Sequence, residues 1–196
     1  MNAQIYEAAL KYSSQGAIVA SLKDNKVMID GFSYMRTLPF ISGNTLKLWF
    51  NAPDVQGVGV LCGAYSQIWC VYVANMSENS FKSIVPAKLS AVGIIKTPRT
   101  KGFLFRLPED VSRVEHGIFG SEANSLCIEV SGSGDCCCLP PTIYHDGAVA
   151  EWENEVPFNK LAVVSPRFIF DLPDLVKVGE RKNLMAALAD GADIPF

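Results

Sequence analysis

Four basic residues close together in the middle of the chain are the first group whose type and spacing suit a chemical role. They are Lys96, Arg99, Lys101 and Arg106. Lysine and arginine neutralise the phosphates of nucleic acids and nucleotides, so the cluster predicts a site for such a ligand. The alternative is ordinary charge at a solvent-exposed turn. Side chains alternate between the two faces of a strand, and these four need not point in one direction.

Cysteines form the second group with chemical potential. Three of the six are consecutive, Cys136, Cys137 and Cys138, and no two have C-x-x-C spacing. On a strand the middle one points away from the other two, which is awkward for a metal held by all three. We therefore expect reduced, buried thiols and no bound metal. A structural zinc site that also uses Cys127 is the alternative.

Motifs of the common hydrolases and nucleotide switches are absent from the sequence. His116 and His145 are not near a serine or cysteine nucleophile motif, and no G-x-S-x-G, P-loop or G-x-G-x-x-G is present. These reaction classes therefore have no support from sequence motifs.

The composition predicts a folded, rather apolar protein with little overall charge. Of 196 residues, 49% are hydrophobic and 19% are charged, which excludes intrinsic disorder. Seventeen basic against twenty acidic residues give a net charge of -3. Any contact with nucleic acid must therefore use a local basic patch. Residues 114–159 contain no lysine or arginine, so a surface built from them would repel a phosphate backbone.

Neither a membrane span nor a secretory signal is expected. The most apolar region, residues 58–73, is interrupted by Gly59, Gly63, Ser66 and Gln67. The first four residues do not begin a basic segment followed by an apolar one. We therefore expect an intracellular, cytoplasmic protein with no membrane partner.

Hydrophobic periodicity predicts an α+β protein with helices at its ends and antiparallel strands in the middle. The sequence predicts a helix over residues 3–14 that stops at Gly16, followed by a strand over 17–22. A long loop is expected over 23–43, with room for a strand at 26–29. A helix over 45–50 and short terminal helices around Gly179 complete the expected elements. The other strands are expected as adjacent pairs, namely 58–62 with 68–73, 91–96 with 102–107, and 126–130 with 135–139.

A segment late in the chain resembles a known family. Residues 139–147 read LPPTIYHDG, and Trp152 follows. This segment is similar to the PPS-[IV]-H-x-x-G…W segment of bifunctional primase-polymerase domains, which belong to the archaeo-eukaryotic primase superfamily. Upstream, residues 12–16 resemble the opening helix and turn of that family, 59–63 its strand ending in T-G, and 97–99 its T-P-R-G-G hairpin. Several segments in the same order are more specific than one motif.

The resemblance implies an archaeo-eukaryotic primase-like fold. Such a fold has a mainly antiparallel, RRM-like central sheet, an N-terminal α/β module and flanking helices. We expect one domain over residues 1–196, with the module at 1–55, the core sheet at 56–165 and terminal helices at 166–196. The family's chemistry is nucleotidyl transfer with two divalent cations held by carboxylates, so an active member would need Mg2+ or Mn2+ as cofactors.

Most positions that correspond to the family's catalytic residues carry a different residue type in this sequence. The first two acids correspond to Tyr72 and Ala74, and the histidine that helps to hold the nucleotide corresponds to Phe103. The third acid is retained as Glu129. One carboxylate cannot position a pair of cations. The resemblance therefore implies a degenerate site without catalytic activity.

Catalytic activity would require other residues to replace the missing metal ligands. The histidine of the PPS segment corresponds to Tyr144, and His145 stands one residue further along. Other candidate ligands are Asn75, Glu78, Asn79, Asp110, Glu115 and His116. Carboxylates in such loops are solvated surface charges in most proteins. An active enzyme with a rebuilt metal site remains an alternative.

Three functional hypotheses follow. The first is a catalytically degenerate primase-polymerase-like protein of a plasmid, virus or mobile element. It would act as a replication accessory, or bind single-stranded DNA or a nucleotide through the four basic residues. The second is a protein-interaction module that mimics a replication enzyme and binds a replication protein such as a helicase or primase. The third is an active DNA primase-polymerase with a rebuilt metal site.

Overall fold

The computed structural model describes residues 2–29, 42–121 and 125–179. The helices are α1 (Ala3–Ser14), α2 (Gly43–Phe50), α3 (Glu78–Ile84) and α4 (Arg167–Phe170). The strands are β1 (Val19–Lys23), β2 (Lys26–Val27), β3 (Gly57–Leu61), β4 (Ile68–Ala74), β5 (Gly93–Lys96), β6 (Thr100–Arg106), β7 (Gly117–Ser121), β8 (Leu126–Ser131), β9 (Cys136–Leu139), β10 (Glu151–Asn154) and β11 (Val176–Gly179). Short 3-10 turns lie at Asn75–Ser77, Leu89–Ala91 and Phe158–Lys160.

The strands form two sheets. In the described part of the chain, the smaller sheet has the order β2-β1-β3-β9 and the larger has the order β10-β5-β6-β4-β8-β7-β11. Neighbouring strands in both sheets run antiparallel. The expected class, a mixed α+β protein with antiparallel sheets, is confirmed.

Helix α1 follows directly from the sequence pattern. Asn2 caps its start, since the side-chain oxygen accepts a hydrogen bond from the backbone N–H of Gln4. Ile5, Ala9 and Tyr12 recur every three or four residues and are buried on one face. The helix has ended by Gly16, where a φ of +88° suits glycine. The predicted helix over residues 3–14 is confirmed.

Strand β4 lies between β6 and β8 in the larger sheet and contributes to two hydrophobic cores. Cys70 and Tyr72 point to core 1, which also contains residues of α1, α2 and the smaller sheet. Val71 and Val73 point to core 2 on the opposite face, which α3 covers with Phe81. Because both faces are buried, the strand is apolar along nearly its whole length rather than alternating.

One of the three expected strand pairs is confirmed. Strands β5 and β6 form a hairpin in which Ile95 lies opposite Gly102 and Lys96 opposite Lys101. The turn between them is stabilised by Thr97, whose hydroxyl accepts a hydrogen bond from the N–H of Thr100 at 3.1 Å.

The other two expected pairs are wrong. Strands β3 and β4 share only the isolated bridge between Gly63 and Ile68, after which they enter different sheets. Strand β8 pairs with β4 and β7, whereas β9 pairs with β3. The turn at Gly132 carries the chain from one sheet to the other. Here the Asp135 side chain accepts a hydrogen bond from the N–H of Gly132. Spacing alone predicts adjacency along the chain but not which strand forms the hydrogen bonds.

The end of the chain also differs from the expected short helices. Helix α4 is four residues long, and Val176–Gly179 forms strand β11 at the edge of the larger sheet. Residues 180–196, where the remaining helical pattern falls, lie outside the described residues. The strand for which the sequence left room at 26–29 forms in part, as β2. Most of the loop expected over 23–43 likewise falls on residues that are not described.

Three elements were not predicted, namely α3, β7 and β10. The alternation of Glu151, Trp152 and Glu153 is a recognisable signal for the last of these, since one residue packs inward between two polar ones. The two apolar residues of β7 are adjacent and flanked by glycines, so they give no clear period. In the ranges that the structure describes, no helix is long and apolar enough to cross a membrane.

Candidate functional site

The residues predicted to correspond to catalytic positions all lie on the larger sheet. Tyr72 on β4 lies directly opposite Glu129 on β8. On its other side Tyr72 faces Gly102 on β6, where an added Cβ would come within 3.0 Å of the tyrosine ring. The absence of a side chain at Gly102 therefore leaves room for the ring.

The hydroxyl group of Tyr72 is fully engaged by the smaller sheet. It accepts a hydrogen bond from the N–H of Cys138 at 3.0 Å and donates one to the carbonyl oxygen of the same residue at 3.0 Å. Strand β9 is an edge of the smaller sheet in the described part of the chain, so the phenol takes the place of a neighbouring strand for Cys138. Burial and nearby thiols raise the pKa of Tyr72, so the hydroxyl is neutral. A neutral, occupied phenol offers no negative charge to a cation.

Ala74 and Phe103 offer no ligand to this location. Ala74 is buried and has no polar side-chain atom. Phe103 lies opposite Val71, so it points to core 2, away from Tyr72 and Glu129. Its ring packs against Phe81 with a centroid separation of 4.8 Å. The structure therefore brings three of the four predicted positions to one face of the sheet and places Phe103 on the other.

Glu78, the first carboxylate among the candidate replacement ligands, forms ion pairs with two lysines. Its carboxylate forms ion pairs with Lys82 on the same helix and with Lys101 on β6, the latter at 2.8 Å. Burial raises the pKa of Glu78, but the two ammonium groups outweigh burial and lower the pKa below its usual value. The nearby Asn75 and Asn79 are exposed to solvent. The carboxylate therefore forms ion pairs within α3 and between α3 and β6.

The later candidate ligands lie in and around the loop before β7. Asp110 is exposed, and Glu115 pairs with Lys177 at 3.4 Å. The Nδ1 atom of His116 is 3.8 Å from the carboxylate of Asp135. Among the described residues, no three histidine, cysteine or acidic side chains form a group that could hold a metal ion.

The four basic residues do not share one surface. Lys96 and Arg99 are exposed at the β5–β6 turn. Lys101 forms ion pairs with Glu78 at 2.8 Å and with Glu153 at 2.6 Å. The predicted cluster is therefore reduced to two exposed cations, plus a lysine whose charge is compensated.

Arg106 is separated from the other three by the length of β6. It ends that strand, and its guanidinium donates a hydrogen bond to the side chain of Gln67 at 2.8 Å. It does not belong to the surface that Lys96 and Arg99 form.

The segment that carried the family resemblance is anchored to α1. The hydroxyl of Tyr12 donates a hydrogen bond to the carbonyl of Pro140 at 2.5 Å, and the indole of Trp152 donates one to that hydroxyl at 2.9 Å. Tyr144 is buried in core 1, whereas His145 is exposed. The two residues considered for the histidine position therefore face different surroundings.

The expected burial holds for four of the six cysteines, namely Cys62, Cys70, Cys127 and Cys137. Cys137 is fully buried, and its neighbours Cys136 and Cys138 are half-buried, in agreement with alternation along a strand. Cys127 lies on β8, which does not pair with β9.

Convergence of the Cys62, Cys70 and Cys137 side chains in core 1 was not predicted. The three residues come from separate parts of the sequence, and no spacing signal relates them. Their proximity depends on the pairing of β3 with β9 and on the packing of the two sheets.

No model of a known protein family matches this chain, and no curated protein matches it.

Proposed function

We propose that this chain is a primase-polymerase-like protein that has lost catalysis and serves the replication of a plasmid, virus or mobile element by binding. The observation that carries the proposal is the pairing of Tyr72 with Glu129 on adjacent strands. Side chains directly opposite each other in an antiparallel pair have Cβ atoms about 4.5–5.5 Å apart. Carboxylates that share divalent cations need such closeness. The placement therefore supports the correspondence of these two positions with the family's acids.

The chemistry of Tyr72 supports the loss of catalysis. In place of a carboxylate the site has a neutral phenol, and both hydrogen-bonding roles of that phenol are taken by Cys138. Ala74 supplies no oxygen either. Glu129 alone cannot hold two cations in the arrangement that phosphoryl transfer needs.

A primer-extension assay tests the catalytic part of the proposal. We expect no extension of a primed template by the purified protein with nucleotides and Mg2+ or Mn2+. The positive control is an active polymerase under the same conditions. Extension that disappears in the Glu129→Ala variant would overturn the proposal and favour a rebuilt metal site.

Lys96 and Arg99 are the residues that we propose contact nucleic acid. Both are exposed, and the turn that carries them is held by several hydrogen bonds between Thr97 and Thr100. A second contact ties the turn to the end of β4, since the N–H of Asn75 donates to the carbonyl of Arg99 at 3.3 Å. A rigid turn presents its cations with little loss of backbone freedom on binding.

Binding of labelled single-stranded DNA at low salt tests this second part. Two phosphate contacts predict weak binding whose logarithm falls with the logarithm of salt concentration with a slope of about -1.4. We expect the Lys96→Ala/Arg99→Ala double variant to lose this binding. The matched control is Lys47→Ala/Lys160→Ala, which removes two exposed lysines elsewhere. Equal loss in both variants would contradict a local site.

A protein-interaction module is the second candidate, favoured by the acidic surface of the segment that lacks basic residues. Asp146 and Glu151 are exposed there, and residues 114–159 contain no lysine or arginine. Such a surface suits a basic partner protein. We expect Asp146→Lys/Glu151→Lys to weaken binding to a replication helicase or primase of the same element. Tight binding that this double variant leaves unchanged would reject the candidate.

A further inference from the structure

A surface of mixed chemistry surrounds the turn between β5 and β6. Lys96, Pro98 and Arg99 are exposed on the turn itself. Asn75 and Met76, which directly follow β4, are exposed beside it, and Met76 is 73% exposed. We call these five residues the turn patch. It combines two cations, one amide and two apolar side chains.

Backbone hydrogen bonds hold the two segments of the turn patch together. Strands β4 and β6 are paired to their ends, where Ala74 lies opposite Thr100. Just beyond this pair, the N–H of Asn75 donates to the carbonyl of Arg99 at 3.3 Å. The carbonyl of Asn75 in turn accepts a hydrogen bond from the N–H of Glu78 at the start of α3. The patch is therefore one surface, and its backbone has little freedom to lose on binding.

The neighbouring carboxylates leave the turn patch with only a weak attraction for phosphate. Glu78 is compensated by Lys82 and Lys101. Glu151 on β10 lies directly opposite Lys96 and offsets part of its charge. Contacts between cations and phosphates alone would therefore give little affinity. DNA that binds here must also gain from the amide and the apolar side chains.

We propose that the turn patch selects single-stranded over double-stranded DNA, with Met76 packing against an unstacked base and the Asn75 amide hydrogen-bonding to a base edge. This inference rests on the proposed function, which supplies the phosphate contacts of Lys96 and Arg99. Methionine is among the apolar side chains that proteins place against bases. An amide can both donate a hydrogen bond to a base edge and accept one from it.

The selectivity follows from where bases are accessible. In a duplex the bases are stacked on one another and their pairing edges are occupied. In a single strand they can turn outward, so that their faces and edges reach a protein surface. Met76 and Asn75 therefore add affinity for the single strand, whereas Lys96 and Arg99 act on the phosphates of both forms.

Fluorescence anisotropy at low salt tests the inference with a short labelled oligonucleotide of mixed sequence, either alone or annealed to its complement. We expect the wild type to bind the single strand several-fold more tightly than the duplex. Met76→Ala and Asn75→Ala should each weaken binding to the single strand and lose most of this preference. The duplex affinity and the salt dependence should not change, since neither side chain contacts a phosphate. Equal affinity of the wild type for the two forms, or a preference that either variant retains in full, would overturn the inference.

A matched control removes an exposed apolar side chain elsewhere. Leu48 on α2 is 74% exposed, so Leu48→Ala should leave both affinities unchanged. An equal loss in Leu48→Ala and Met76→Ala would contradict a local contact with a base. The substituted side chains are exposed, and alanine keeps the backbone hydrogen bonds of Asn75, so we expect every variant to fold with the circular dichroism spectrum of the wild type.

The Lys96→Ala/Arg99→Ala variant distinguishes failure of this inference from failure of the proposed function. If the wild type binds neither form, or if this double variant binds as the wild type does, the phosphate contacts are wrong and both ideas are rejected. If the double variant loses binding to both forms while Met76→Ala and Asn75→Ala behave as the wild type, the proposed function stands and the selection of single strands by the turn patch is rejected.

Discussion

At the scale of single residues, Tyr72 contributes to both the core and the backbone network. Its ring packs against core 1, and its hydroxyl satisfies the N–H and the carbonyl of Cys138. The same hydroxyl touches the sulfur of Cys137. The residue at the expected acid position therefore has a structural role that a carboxylate would fulfil poorly, since a buried charge without a cation is costly.

Replacing Tyr72 with phenylalanine should destabilise the protein by about 1–2 kcal/mol, because the half-buried backbone groups of Cys138 lose a hydrogen-bond partner. Urea unfolding followed by circular dichroism measures this change. Tyr65→Phe is the control, since Tyr65 is exposed and should change stability little. Equal stability of the Tyr72 variant and the wild type would show that water replaces the phenol without cost.

Glu78 shows how tertiary structure removes a charge from a predicted binding surface. The carboxylate joins α3 to β6 through Lys101, which also pairs with Glu153 on β10. Burial lowers the pKa of Lys101, but the two carboxylates raise it by more than burial lowers it. Lys101 is therefore charged but compensated.

The Glu78 ion pairs predict a loss of stability in acid. The pKa of Glu78 is lowered from its usual value of 4.5, so its contribution is complete well above pH 4.5 and disappears as the pH falls through the lower folded value. We expect Glu78→Gln to be less stable than the wild type at pH 7 by about 1 kcal/mol or less. The difference should shrink below pH 4.5. The control Glu7→Gln, at an exposed position on α1, should show a smaller difference, and a constant difference for Glu78→Gln across pH would contradict the assignment.

At the scale of elements, the close approach of a neighbouring segment leaves no room for a side chain at the start of β3. A Cβ added at Gly57 would lie 2.4–2.8 Å from three side-chain atoms of Thr142. Thr142 is itself buried and donates a hydrogen bond to the carbonyl of Leu139 at 2.6 Å. The segment that follows β9 therefore packs directly onto the start of β3, with no room for another side chain.

We expect Gly57→Ala to destabilise the protein by about 1–3 kcal/mol, because Thr142 must move and its hydrogen bonds must weaken. Gly43→Ala is the matched control, since nothing lies within 4 Å of a Cβ at Gly43 in the first turn of α2. That variant should be neutral or more stable by up to about 1 kcal/mol. Thermal denaturation of both variants gives the comparison. A Gly57→Ala variant as stable as Gly43→Ala would mean that the segment around Thr142 adapts freely.

At the scale of the whole molecule, β4 couples the two cores. Cys70 packs in core 1, and Val71 next to it packs in core 2. In the described part, the chain also crosses between the sheets three times, after β3, after β8 and after β9. Neither core is complete without residues from this central strand.

This coupling predicts one cooperative unfolding transition for the described fold. The Trp69→Phe variant retains Trp49 and Trp152, which pack against core 1, so its fluorescence reports that core. The Trp49→Phe/Trp152→Phe variant retains Trp69, which reports core 2. For each variant, the urea midpoint measured by fluorescence should equal the midpoint measured by circular dichroism. Two separated transitions would show that the cores unfold independently.

The sequence by itself determined the class of the fold and the elements whose signals are local. Helix α1 was predictable because a cap, a regular apolar face and a terminal glycine lie within fifteen residues. The β5–β6 hairpin was predictable because its turn is short and local. Burial of four of the six cysteines followed from their apolar surroundings. Each of these features depends on residues that are near one another along the chain.

Only the tertiary structure decided which distant residues meet. Runs that are apolar on both faces, such as β3 and β4, carry no information about which strand lies beside them, so two of three expected pairs were wrong. The contact of Tyr72 with Cys138, the pairing of Lys101 with Glu153, and the cluster around Cys137 all cross between elements far apart in sequence. Their energies come from burial and hydrogen bonding that exist only after the sheets have packed, which is why no local pattern encodes them.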